Sequence, residues 1–200
     1  MPIFVLWLAA ILLAATSIGL LLSRDWRWNL GLLAGQYFAA FLLVLAHWSL
    51  PMAAAKLVTG WMAVAVLAMT QLDIKNEPVS EISWPEGSLF RAFAAGLVLI
   101  TVTSAAQPVN AWLPSASLPL VWGGLMLIGM GLLHLGLTVH PLRITQGLLI
   151  TLAGFEILYA SIESSILVTG LLAIITLGLA LTGSYLLSLT PSTALENPVE

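Results

Sequence analysis

Apolar runs long enough to cross a bilayer recur along the whole chain. "PIFVLWLAAILLAATSIGLLL" stands near its start and "ILVTGLLAIITLGLALTGSYLL" near its end. A helix of about 20 such residues, rising 1.5 Å per residue, matches the thickness of the hydrocarbon layer. No water is available there, so the backbone must satisfy its own hydrogen bonds, which only helices and closed barrels achieve. Barrel strands would alternate apolar and polar residues over ten-residue segments, and these runs do not alternate. The chain therefore reads as an all-α polytopic membrane protein. Composition agrees: 60% of the 200 residues are hydrophobic and 8% charged, against about 25% charged in a soluble domain.

The runs predict seven spans, at about 2–22, 30–49, 52–72, 89–106, 118–138, 144–162 and 165–188. Six is the alternative count, because the fourth run is short and opens on Arg91. The breaks have chemical causes. "SRDWRWN" brings three charges and two Trp to an interface, and "WSLPM" sets Pro51 at a helix start. "DIKNEPVSEISWPEGS" is the longest polar loop, "QPVNAWLPSASLP" holds three Pro and no charge, "VHPLR" reads as a short turn, and the tail "TPSTALENPVE" is polar. The first run lacks a basic segment before it, and Arg24 and Arg27 follow it, so it reads as a retained helix and not a cleaved signal.

With seven spans, Arg24, Arg27, Lys75, Arg91 and Arg143 all fall on one side. The positive-inside rule makes that side cytoplasmic, with the N-terminus outside and the C-terminus inside; six spans would scatter these charges. Leu57-Val58-Thr59-Gly60 in the third span is echoed by Leu167-Val168-Thr169-Gly170 in the seventh. The expected organisation is a three-helix unit over 1–72, a loop, linker helix and outer loop over 73–117, a second three-helix unit over 118–188, and a tail over 189–200. An odd linker gives both units the same orientation, a possible 3+1+3 parallel repeat; chance recurrence of common membrane residues is the other reading. Small residues at every fourth position (Ala55, Thr59, Ala63 and Thr176, Ala180, Ser184) let helices approach closely.

Against this background the polar residues inside spans carry the functional content. Glu156 lies thirteen residues past Arg143, about 20 Å along a helix, and so near the middle of the bilayer, slightly toward the outside. A charge there costs at least about 2.5–3.5 kcal/mol. A carboxyl that avoids the cost by holding or sharing a proton is what a proton relay needs, whereas a neutral Glu bonded to a neighbouring helix is glue. Glu163 follows on the same face at the outer end, as an interfacial residue. Lys56, one turn inside the third span, either snorkels to the headgroups or turns inward to pair with an acid. Gln36 in the second span can hold water or bond another helix. His134 and His47, near opposite ends of their spans, are candidate access groups or plain interface residues.

The same sequence excludes much else. Six Lys and Arg form no basic patch for nucleic acid. Without cysteine there is no disulfide or thiolate metal site, and the three His are far apart in sequence, so no metal site is expected. No phosphate-binding loop, nucleophile elbow or zinc motif appears, and no catalytic site or cofactor is expected in this chain.

"GMGLLHLGLTVHPLRITQGLLITLAGFEILYASIE", followed by "VTGLLAIITLGLALTGSYLL", resembles the small three-helix component of respiratory complex I known as 4L or K, and its small counterpart in multisubunit cation/proton antiporters. In that family the second helix carries a functional Glu, here Glu156 after Gly154-Phe155. A second acid is expected four residues before a "GLA" stretch, but this chain has Ile174 there. Over nearly all its length the chain resembles the membrane component E of hydrogenase-4-type complexes, with Gln36 and Lys56 at similar places to a Gln and a Lys of that family. The resemblance implies a subunit of a complex-I-like redox or antiporter assembly in a bacterial or archaeal cytoplasmic membrane, packed among other membrane subunits and lipid. Glu156 would relay protons, with Lys56 and His134 as partners. A stand-alone 3+1+3 transporter and a non-conducting scaffold are the alternatives.

Overall fold

The computed structural model describes residues 2–23, 25–73 and 87–189. They form seven α-helices: α1 (Ile3–Leu22), α2 (Trp26–Val44), α3 (Leu50–Asp73), α4 (Ser88–Trp112), α5 (Leu118–Gly136), α6 (Pro141–Tyr159) and α7 (Ile166–Leu189). Arg24, Lys75, most of the long polar loop and the tail from 190 lie outside the described residues. The protein is an all-helical membrane protein, and six of the seven helices are long and apolar enough to cross a bilayer. The exception is α2, whose Arg27, Asn29, Gln36 and Tyr37 dilute its apolar character.

The helix bounds differ from the expected spans where local chemistry outweighs hydropathy. α2 starts four residues earlier, because the Asp25 carboxylate accepts from the Arg27 backbone N–H at 3.0 Å and caps the helix. α6 starts three residues earlier, because Pro141 takes the first-turn position that its fixed φ favours. α4 runs on past the expected end at 106 to Trp112, with Pro108 inside it. Proline is therefore not confined to helix ends in this chain.

Turns from distant parts of the sequence meet at the two ends of the bundle. At one end the Trp48 indole N–H donates to the Glu163 carbonyl at 3.0 Å, and the Ser115 hydroxyl donates to the Ser161 carbonyl at 2.8 Å. His47 Nε2 lies 3.1 Å from the Ser115 carbonyl at the same end. At the other end the Arg143 guanidinium donates to the Ser23 carbonyl at 3.1 Å. α2 joins the Ser23 end to the Trp48 end, so it runs the full height of the bundle despite its polarity. Its polar residues are tolerated because Asn29, Gln36 and Tyr37 are buried against neighbouring helices. Arg27, Arg91 and Arg143 all belong to the Ser23 end, and Lys56 lies toward the other.

α1 packs on α5, α2 on α6 and α3 on α7, so helices at matching places of the two expected triplets meet in pairs, with α4 laid against α5 and α1. The closest approach is between α5 and α6, where four glycines meet. A Cβ on Gly154 would come within 2.7 Å of the Gly124 carbonyl oxygen, and one on Gly131 within 2.8 Å of the Thr151 backbone nitrogen. Gly124 and Gly131 on one helix, Gly147 and Gly154 on the other, are spaced alike and face each other antiparallel. Such contacts are what small residues permit in membranes. They fix the height and rotation of α6, and with it Glu156.

Two outcomes follow from this geometry. Gly131→Ala pushes against backbone and is expected to destabilise the detergent-solubilised protein by about 1–3 kcal/mol, whereas Gly96→Ala, which meets nothing within 4 Å, leaves the melting temperature unchanged. Because the chain has no cysteine, single cysteines report sidedness. Ser164→Cys is expected to react with an impermeant maleimide on intact cells and Asp73→Cys only after permeabilisation; the reverse pattern would invert the orientation inferred from the basic residues.

Candidate functional site: a buried ion pair

α6 carries Glu156 inward three residues before its end at Tyr159, and α3 carries Lys56 inward in its second turn. The Lys56 ammonium donates to Glu156 Oε2, and the two groups form a salt bridge. Each residue is only 5% exposed. Of the two fates open to Lys56, snorkelling is therefore the one not adopted. Glu156 lies closer to the Trp48 end than the expected position near the middle of the bilayer. It stands fifteen residues, or about 22 Å, along a helix about 28 Å long, because α6 begins at Pro141 and stops at Tyr159.

The second carboxylate oxygen faces α7. The Thr176 hydroxyl donates to the Leu172 carbonyl at 2.9 Å and lies 3.5 Å from Glu156 Oε1. Thr169, on the same face two turns earlier, and Thr59 of α3 join Lys56, Glu156 and Thr176 around a small cavity that is partly open to the surroundings. Its enclosed part is of the size of one water molecule. Thr59 and Thr169 are the threonines of the echoed Leu-Val-Thr-Gly tetrapeptides, which the packing of α3 on α7 brings to one cavity. Their glycines differ. Gly60 makes room for the Tyr37 ring, which a Cβ there would meet at 2.2 Å, while Gly170 faces open space. With Tyr37 so placed, the Lys56 ammonium stands 5.9 Å from its ring centroid, within the range of a cation–π contact.

Of the other residues singled out in the sequence, Gln36 is next to the site and the rest are not. Gln36 is buried beside Tyr37, and neither of its amide atoms has a hydrogen-bond partner. His134 is buried in the last turn of α5, within electrostatic reach of Arg91 and Arg143. It belongs to the Ser23 end, roughly 20 Å along the bundle from Glu156, so it makes no direct relay contact with the pair. Glu163 is exposed in the α6–α7 turn, where its backbone carbonyl anchors Trp48; the helix has ended before it, so it shares no face with Glu156. His47 ties the α2–α3 turn to the α4–α5 turn. Ile174 points outward at 69% exposure, so an acid at that position of α7 would face away from Glu156; Thr176 supplies the polar contact instead.

Tyr37, Thr59, Thr169 and Thr176 were not among the residues singled out for chemistry. The signal for Thr169 and Thr176 was their seven-residue spacing on one face of a helix, and for Tyr37 its place next to Gln36. Among the described residues no three His, Asp or Glu side chains converge to hold a metal ion.

No protein-family model matches the chain, and neither curated proteins nor solved structures give a significant match.

The arrangement can do one thing chemically without further groups: pass a proton between an ammonium and a carboxylate, since the charged and neutral forms of the pair both carry zero net charge. Removing one partner strands the other. Lys56→Met or Glu156→Leu alone is expected to cost about 3–5 kcal/mol, and the double variant Lys56→Met/Glu156→Leu to recover most of that loss, as read from unfolding of the purified protein in detergent. Additive losses in the double variant would mean that the two groups are not coupled.

Proposed function

We propose that this chain is an integral membrane subunit of a complex-I-like redox or antiporter assembly, in which Lys56 and Glu156 relay protons within the membrane. The observation that carries the reading is the buried Lys56–Glu156 pair beside a threonine-lined cavity. Charged pairs inside a bundle are costly and mark ion paths more often than they serve as glue. The relay works by exchange. When a proton arrives on Glu156 from the cavity, Lys56 loses its counter-ion and its ammonium gives up a proton onward; the pair re-forms when Glu156 passes its own proton to the neutral Lys56 amine. Oε1 faces α7, with the Thr176 hydroxyl 3.5 Å away, while Oε2 meets Lys56.

A connector must also pack on more than one side. α3, α4 and α7 leave large apolar side chains outward, including Phe93, Ile100, Ile166 and Leu167, which suits lipid or neighbouring membrane subunits. The resemblance to hydrogenase-4 component E and to the 4L/K component of complex I supports the same reading. So does the collection of Arg27, Arg91 and Arg143 at one end, which the positive-inside rule makes cytoplasmic. The pairwise meeting of helices at matching places of the expected triplets favours a second reading, a stand-alone 3+1+3 transporter, but the cavity is too small for an organic solute in this conformation.

Mild-detergent extraction with a C-terminal tag should bring down large antiporter-like subunits in fixed stoichiometry. In that intact assembly, Lys56→Gln/Glu156→Gln keeps both side chains polar and removes both protons from play. Coupled proton translocation is expected to fall at least tenfold with assembly unchanged. Full translocation by the double variant would reduce the pair to a structural role, and a lone monomer active in solute uptake would favour the transporter.

A further inference from the structure

The outer cavity around the ion pair has an inner neighbour. A second, narrower gap is lined by Gln36 and Leu33 of α2 and by Leu149, Ile150 and Ala153 of α6. Tyr37 lines both cavities. It is the partition between them, with its ring seated in the notch that Gly60 leaves in α3.

On the inner side of that partition, buried polar groups lack partners. Both amide atoms of Gln36 and both of Gln146 are without hydrogen bonds, at 2% and 0% exposure. Gln146 shares a face of α6 with Ile150 and Ala153, which line the inner cavity. Asn29 Oδ1 is likewise buried and unpartnered, on the face of α2 that carries Gln36 seven residues later. Leaving a buried polar group unsatisfied costs about 1–3 kcal/mol, and this set is concentrated where α2 meets α6. Counted from the Ser23 end, Asn29 stands about 5 Å deep, Gln146 about 8 Å, Gln36 about 15 Å and Glu156 about 22 Å. Along the bundle axis successive rungs differ in depth by about 3 to 7 Å, steps that one or two waters bridge. In the conformation described this inner gap is too narrow to hold a water molecule, and Tyr37 is the side chain that stands between it and the outer cavity.

We propose that Asn29, Gln146 and Gln36 form an amide-lined proton access branch from the Ser23 end to Lys56 and Glu156, and that Tyr37 is its movable partition. The proposal rests on the relay reading of the ion pair. Amides do not titrate in this range, so they hold and orient water while the proton moves along it. Tyr37 closed against Gly60 leaves the pair facing the outer cavity; Tyr37 displaced lets water behind Gln36 reach Lys56. One side chain thereby decides which side of the membrane exchanges protons with the pair.

The test uses the intact assembly in inverted membrane vesicles, with proton uptake read by a pH-sensitive dye and hydroxyl-radical footprinting by X-ray radiolysis on the same membranes. The wild type is expected to show radical modification at Tyr37 and Leu149, produced by water reaching the inner cavity. Gln36→Leu/Gln146→Leu is expected to cut that modification severalfold and to slow coupled translocation at least tenfold. Because the amides have no partners to lose, this variant should assemble in normal yield and melt no lower than the wild type. A wild type with no modification at these residues overturns the proposal, as does full translocation in the Leu variant. Translocation lost in Lys56→Gln/Glu156→Gln but kept in Gln36→Leu/Gln146→Leu overturns the access branch and leaves the relay standing. Translocation kept in both overturns the relay as well.

Discussion

Two opposite charges inside an apolar bundle can persist only by facing each other, and the rest of this structure is arranged so that they do. The pair joins α3 to α6, helices that have no extensive contact of their own. Each is brought into position by a different neighbour. α6 is held by α5 through the facing glycines Gly124, Gly131, Gly147 and Gly154, and α3 is held by α7, to which the Thr70 and Ser184 hydroxyls join it by a hydrogen bond. A shift of one turn in either interface would move a charge by about 5 Å and leave both groups unpaired in hydrocarbon. The packing of small residues and the polar chemistry are therefore not separate properties of the chain.

Much of this was legible in the sequence, and for a plain reason. Hydropathy over twenty residues is a strong signal when the solvent is lipid, so the helical class and the seven helices followed from the apolar runs. Lys56 and Glu156 stood out because charges are rare in such runs. What hydropathy could not supply was the end of each helix. The Asp25 cap and the first-turn position of Pro141 moved α2 and α6 by several residues, and the second shift changed the depth assigned to Glu156. Rotation about the helix axis was equally hidden. Gln36 and His134 look alike in sequence as single polar residues in spans, yet one abuts the site and the other belongs to the opposite end. The glycine spacing on α5 and α6 was readable, but nothing in one helix says which other helix its small residues will meet.

The echoed Leu-Val-Thr-Gly tetrapeptides show how much a short similarity can carry. Their threonines line one cavity, while their glycines do unlike things: one receives an aromatic ring and the other faces outward. If the two triplets share an origin, the site arose at their junction and then diverged. The Lys came from one half and the Glu from the other, so neither half alone contains the pair.

α2 carries a cost of a different kind. It is the one described helix not apolar enough over eighteen residues to count as a span by composition, and its Asn29, Gln36 and Tyr37 are covered only once α1, α3 and α6 surround it. During synthesis α2 emerges long before α6. Its buried amides gain partners only from neighbouring helices, which favours entry as a hairpin with α1 or α3. The residues that make the interior polar enough to conduct thus set the order in which the membrane protein is built.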